Sequence, residues 1–144
     1  MSDSFDLRRF VDAQASDYPQ IVAELSHGRK QTHWMWFIFP QIAGLGFSAM
    51  AQRFAIGSRA EAVAYLEHDL GPRLIECTRL VMAASEKPIT DILGSPDDMK
   101  FRSCMTLFDA VSKQEIFAEA IAVFYPDGKD RATLAILETN QHLS

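Results

Sequence analysis

A chain of 144 residues, 48% hydrophobic and 23% charged, has the length and composition of one folded domain and not of a disordered segment. Its 14 Lys and Arg stand against 19 Asp and Glu, and the net charge of −5 argues against non-specific nucleic-acid binding, which needs a basic face. No apolar run reaches the roughly 18 residues of a membrane span, and the opening MSDSFDLRRF lacks the apolar core of an export signal; the expectation is a cytoplasmic protein without a membrane partner.

Taken in chain order, the pattern is helical. Leu7, Phe10 and Val11 form one apolar stripe near the start. Asp17 and Pro19 open a second helix carrying Ile21, Val22 and Leu25, and Gly28 is a left-handed stop. His33-Trp34-Met35-Trp36-Phe37-Ile38-Phe39-Pro40-Gln41 holds both tryptophans and fits neither a period of two nor of 3.6, so it is expected to be buried on more than one side. The stretch from Trp34 to Phe39 is open to an extended form. Phe47, Met50, Ala51, Phe54 and Ala55 then fall on one helical face. Ser58 with Glu61 reads as a capping box. Leu70, Leu74, Cys77 and Val81, widened by Ile75, Thr78 and Met82, mark a central helix.

Pro88 and Gly94 bound a short helix. Ser95-Pro96-Asp97-Asp98 starts another, with Phe101, Cys104, Met105 and Phe108 on its buried face. Ile116, Ala120, Val123 and Phe124 share a further helix, and Asp130 caps the last one, with Leu134 and Leu137. No β-branched alternation extends far enough for an antiparallel sheet. The expectation is an all-α, single-domain, irregular orthogonal bundle of about seven to nine short helices. Cys77 and Cys104 read as reduced core thiols. His27, His33, His68 and His142 show no metal-ligand spacing, and no cofactor is expected.

Several polar groups border the aromatic segment. Arg29 and Lys30 either meet an anionic or nucleotide-like ligand or decorate a helix C-terminus. His33 is either a general base or a histidine satisfied by a carbonyl. Trp34 and Trp36 make a stacking wall if the segment is extended and fill the core otherwise. Gly44-Leu45-Gly46-Phe47-Ser48 leads into a helix N-terminus, where Ser48 either contacts a ligand or simply caps. Asp98 pairs with Arg102 by spacing, while Lys100, Ser103 and Thr106 lie along one polar edge. Arg73, near a helix start, is set against the dipole and calls for a carboxylate or a ligand partner.

The run Arg29-Lys30, HWMWFIFPQ, Gly44-Leu45-Gly46 and Ser48 resembles the signature of the DUF1810 family of uncharacterised bacterial proteins. The likeness continues through Arg73-Leu74, Asp97-Asp98-Lys100, Ser103 and Met105-Thr106-Leu107-Phe108 to Asp130 and Thr133-Leu134. Cys104 departs from it, standing where a second serine is expected. The resemblance implies a compact helical domain and no established reaction. The label calpastatin, which some members carry, does not suit a chain patterned for a core throughout. The layout alone is similar to NADAR domains, which act on ADP-ribose-linked or riboflavin-pathway nucleotides; no catalytic residue follows from that.

Two functions are expected on these grounds. The first is binding, and hydrolysis if a reaction occurs, of a small phosphate-bearing molecule. Trp34 and Trp36 would form the wall and Lys30, Arg73 and Lys100 would meet charge. Gln41, Ser48 and Ser103 would orient the ligand, and His33 or Asp98 would handle protons. The alternative is a protein-interaction module without catalysis.

Overall fold

A computed structural model describes residues 4–143, with side chains for residues 4–139. Among the described residues there are ten helices: α1 (Arg8–Gln14), α2 (Tyr18–Ser26), α3 (Met35–Ile38), α4 (Ala49–Arg53), α5 (Arg59–Glu67), α6 (Leu70–Ala83), α7 (Ile89–Leu93), α8 (Asp97–Val111), α9 (Ile116–Phe124) and α10 (Arg131–Leu143). The only β element among them is an isolated parallel bridge between Ile42 and Ile56. The count exceeds the expected seven to nine because the aromatic segment winds into a turn of helix of its own.

The two longest helices of the interior organise the rest. α6 packs on α2, α5 and α9, and α8 packs on α5, α7, α9 and α10. Leu70, Leu74, Cys77 and Val81 of α6 are buried, as are Phe101, Cys104, Met105 and Phe108 of α8. Burial pushes the Cys77 thiol up to about 12 and raises that of Cys104 as well, so both are unreactive free thiols. Trp34, Met35, Phe37, Ile38 and Phe39 join the same core. Phe39 meets Phe101 edge to face at 4.9 Å, and Phe10 meets Tyr65 in the same way at 5.0 Å. Each buried large aromatic contributes about 2–3 kcal/mol, a sizeable share of a net stability of about 5–15 kcal/mol.

Local chemistry sets the helix ends. Gly28 adopts φ +74° and closes α2, its N–H donating to Leu25 O while Arg29 N–H reaches Glu24 O. Gly71 lets α6 approach α5: a Cβ there would stand 2.1 Å from Leu66 O. Ser58 accepts from Glu61 N–H, and the Glu61 carboxylate returns a bond to Gly57 N–H, one residue before the expected partner. The same carboxylate holds Arg9 at 2.6 Å, and that guanidinium also donates to Phe5, Asp6, Arg53 and Ala55 carbonyls. α1, α4 and α5 are tied at this corner. At α8 the N-cap is Pro96 and not Ser95, whose hydroxyl makes no cap bond.

The stripe read through Phe47, Met50 and Phe54 forms only in part. α4 has five residues, too few to turn every position inward; Phe54 is buried, whereas Phe47 is 83% and Met50 38% exposed. Among the described residues no helix is long and apolar enough to cross a membrane.

Candidate functional site

The loop from Arg29 to Trp34 is built around Glu24. Its carboxylate accepts from Gln31 N–H at 2.7 Å, from Thr32 N–H at 3.0 Å and from the Thr32 hydroxyl at 2.6 Å. Trp34 Nε1–H donates to it at 2.9 Å, and Gln20 adds a further bond. Burial alone would raise the Glu24 pKa; these donors outweigh it and hold the group at about 2. Glu24 is therefore an anion at neutral pH, and its bonds fix the loop. Trp34, 2% exposed, is locked beneath it and offers no stacking face.

Lys30 leaves this loop with its ammonium 5.3 Å from the Trp34 ring centroid and 2.9 Å from Asp97 Oδ2. Its side chain is only 9% exposed. Asp97 also meets Lys100, one helical turn on, at 3.5 Å. Lys100 in turn lies over the Trp36 ring, 5.0 Å from its centroid. One carboxylate thus joins two lysines, each resting on one of the two indoles.

Trp36 is half-buried, and its Nε1–H is enclosed without a hydrogen-bond partner. A buried donor left unpaired costs about 1–3 kcal/mol. Beside the ring is a crevice of about 10 Å³ lined by Trp36, Phe39, Gln41, Gly44, Gly46 and Lys100. A space of that size takes about one water or one oxygen atom. Trp36 brings a donor to this region, Lys100 a donor shared with Asp97, and Gln41 an amide that both donates and accepts.

Five of the residues singled out from the sequence therefore meet here: Lys30, Trp34, Trp36, Gln41 and Lys100. The others stand elsewhere. His33 is exposed and makes no hydrogen bond among the described residues. Ser48 is exposed and caps α4 through Ala51 N–H. Arg73 donates to the amide oxygen of the buried Gln14 and lies over the Tyr18 ring, and no carboxylate pairs with it among the described residues. Ser103 is buried and donates to Met99 O and to Asp130, the carboxylate that caps α10 through Thr133. Thr106 accepts from Asp130 N–H in the same cap.

Asp98 follows Asp97 by about 100° around the helix and belongs to another face. Its carbonyl accepts the Tyr125 hydroxyl, and burial followed by the Asp98 charge raises the Tyr125 pKa. Asp98 Oδ1 is buried without a partner. Arg102 does not pair with Asp98; its guanidinium donates to Gly128 O at 2.7 Å and to Lys129 O. No three His, Cys, Asp or Glu side chains gather as metal ligands among the described residues, and the His142 side chain lies outside them.

Sequence reasoning missed two residues that organise the region, Glu24 and Asp97. The i, i+3 spacing of Asp97 and Lys100 was the available signal for the second. For the first, a glutamate facing the core in a helix pattern was a signal too, since buried carboxylates need donors.

The protein-family model for DUF1810, described as a protein of unknown function, matches residues 4–137. The fold is similar to the crystal structure of the conserved hypothetical protein Rv1873 from Mycobacterium tuberculosis, at 51% identity and a TM-score of 0.92 over 94% of this chain and 99% of that one. No curated protein matches. With nearly its whole length matched by the family model, this chain belongs to the DUF1810 family.

Proposed function

We propose that the domain binds a small phosphate-bearing, nucleotide-like molecule of the ADP-ribose type and places one phosphoryl oxygen in the crevice beside Trp36. The observation that carries this reading is the enclosed, unpartnered Trp36 Nε1–H in a wall that also presents Lys100. Size limits what enters. The crevice takes an oxygen and not a base or a sugar, so the rest of the molecule lies outside it. Hydrolysis is left out of the reading, because neither His33 nor Asp98 lines the crevice.

The test is thermal unfolding with ADP-ribose, NAD and flavin-pathway nucleotides. A ligand at 100 times its dissociation constant stabilises by about 2.7 kcal/mol, several degrees for a chain of this size. Trp36→Phe keeps an aromatic ring, though a smaller one, and removes the N–H, and is expected to weaken binding about tenfold. The reading is lost if none of these molecules raises the midpoint, or if Trp36→Phe retains the full shift.

Exposure of Phe47 and Met50 favours a second reading, an interaction module that presents these side chains to a protein partner. In that case Phe47→Ser abolishes partner binding while Trp36→Phe does not.

A further inference from the structure

Lys30 lines a second and larger space. An open groove of about 490 Å³ runs between the Arg29–Lys30 loop and α7, with Arg29, Lys30, Lys87, Thr90, Asp91 and Gly94 on its walls. Three basic residues and one acid, Asp91, line it in a chain whose net charge is −5, and one of the three, Lys30, is already paired with Asp97. The groove falls within the roughly 300–1,000 Å³ typical of small-molecule sites.

The backbone that carries Arg29 and Lys30 is held in place. Arg29 N–H bonds Glu24 O, Lys30 N–H bonds Ile92 O at 2.7 Å, and the next two N–H groups of the loop end on the Glu24 carboxylate. The loop is thereby stitched to α2 on one side and to α7 on the other. Lys87, which lines the groove, donates to Gly28 O at 3.1 Å, and that uses one of its three N–H bonds. Lys30 is shared with Asp97. The Arg29 guanidinium, exposed on the rim, has no hydrogen-bond or ion-pair partner among the described residues. Positive charge on a pinned backbone costs little ordering when an anion arrives.

From this arrangement we infer that the groove is a binding site for a group bearing two or more negative charges, of the pyrophosphate class. A single oxyanion would meet one or two of the cations and leave the rest of the groove unfilled. Two linked phosphoryl groups offer acceptors for Arg29, Lys30 and Lys87 together, with the Arg29 fork suited to a bidentate contact. The Thr90 hydroxyl is a further donor on the wall. The inference does not depend on the crevice at Trp36, whose lining shares none of these residues.

The experiment is calorimetric titration of the full chain with inorganic pyrophosphate at moderate ionic strength. Wild type is expected to bind, and Arg29→Ala to bind about tenfold more weakly through loss of a charged donor. Lys87→Ala is expected to weaken binding as well, and Lys87→Arg to restore it. Lys113→Ala removes the same charge beyond the far end of α8 and is expected to bind as wild type does. The Arg29 side chain makes no hydrogen bond or ion pair among the described residues, and alanine keeps its backbone bond to Glu24, so this variant keeps the test decisive even if Lys87→Ala is destabilised. Absence of binding by wild type at millimolar pyrophosphate overturns the inference, and so does equal weakening by Arg29→Ala and Lys113→Ala, which would reduce the effect to overall charge.

Discussion

Trp34 and Trp36 stand two residues apart and live in opposite circumstances. The Trp34 indole is enclosed, and its N–H ends on Glu24, a carboxylate that also collects Gln20, Gln31 and Thr32. The Trp36 indole is half-buried, and its N–H ends on nothing. Both carry a lysine on the ring, and the two lysines share Asp97. The surroundings of Trp34 are complete and those of Trp36 are not. A satisfied buried network specifies structure. The Trp36 N–H, beside a small crevice, has no protein partner among the described residues.

Trimming each indole in turn tests this contrast directly. Trp34→Phe removes a donor from a buried anion and leaves a void, for a loss of about 2–4 kcal/mol in urea unfolding. Trp36→Phe removes a donor that has no partner, and its expected loss is about 1 kcal/mol or less. Equal losses in the two variants would mean that both indoles are structural, and the contrast would fail.

Acid should unpick the Glu24 network next. A carboxyl held at about 2 in the folded chain, against its ordinary 4.5, binds its proton more readily when unfolded. Its stabilisation is complete above pH 4.5 and is lost as pH falls from there towards 2. The full amount is about 3 kcal/mol. Glu24→Gln is expected to be less stable than wild type at pH 7, with the gap between the two closing across that acid window. A gap that stays constant from pH 7 to pH 3 would remove Glu24 as the anchor of the loop.

Much of the fold was legible because it is written locally. The α6 stripe, the Gly28 stop, the Pro88 to Gly94 bounds and the Asp130 cap each depend on residues within a turn or two. Long-range ties were not legible. Arg9 reaches Glu61 across 52 positions, and no spacing rule joins them. The geometry of the candidate site was legible in part. Lys30, Trp36, Gln41 and Lys100 were marked by residue type and do converge. Asp98 was preferred over Asp97, and only the helical phase of α8 decides between adjacent carboxylates: one turns to the lysines, the other to Tyr125. Ser103 and Arg73 were read as polar groups in search of a ligand, and both are satisfied by the protein.

The smallest expected effect sits on the border of the crevice. Phe47 follows Gly46, one of the lining residues, and shares its predicted helical face with Phe54, yet the two rings have different fates. Phe54 packs against Phe10 and Phe37, while Phe47 is 83% exposed. Phe47→Ser should therefore change the unfolding free energy by about 0.5 kcal/mol or less. Phe54→Ala should cost about 3–5 kcal/mol. A loss for Phe47→Ser that approached the Phe54 value would mean that α4 extends toward its N-terminus in solution and seats Phe47 in the core. The contrast between the two rings would then fail, and with it the exposed apolar surface on which the interaction-module reading rests.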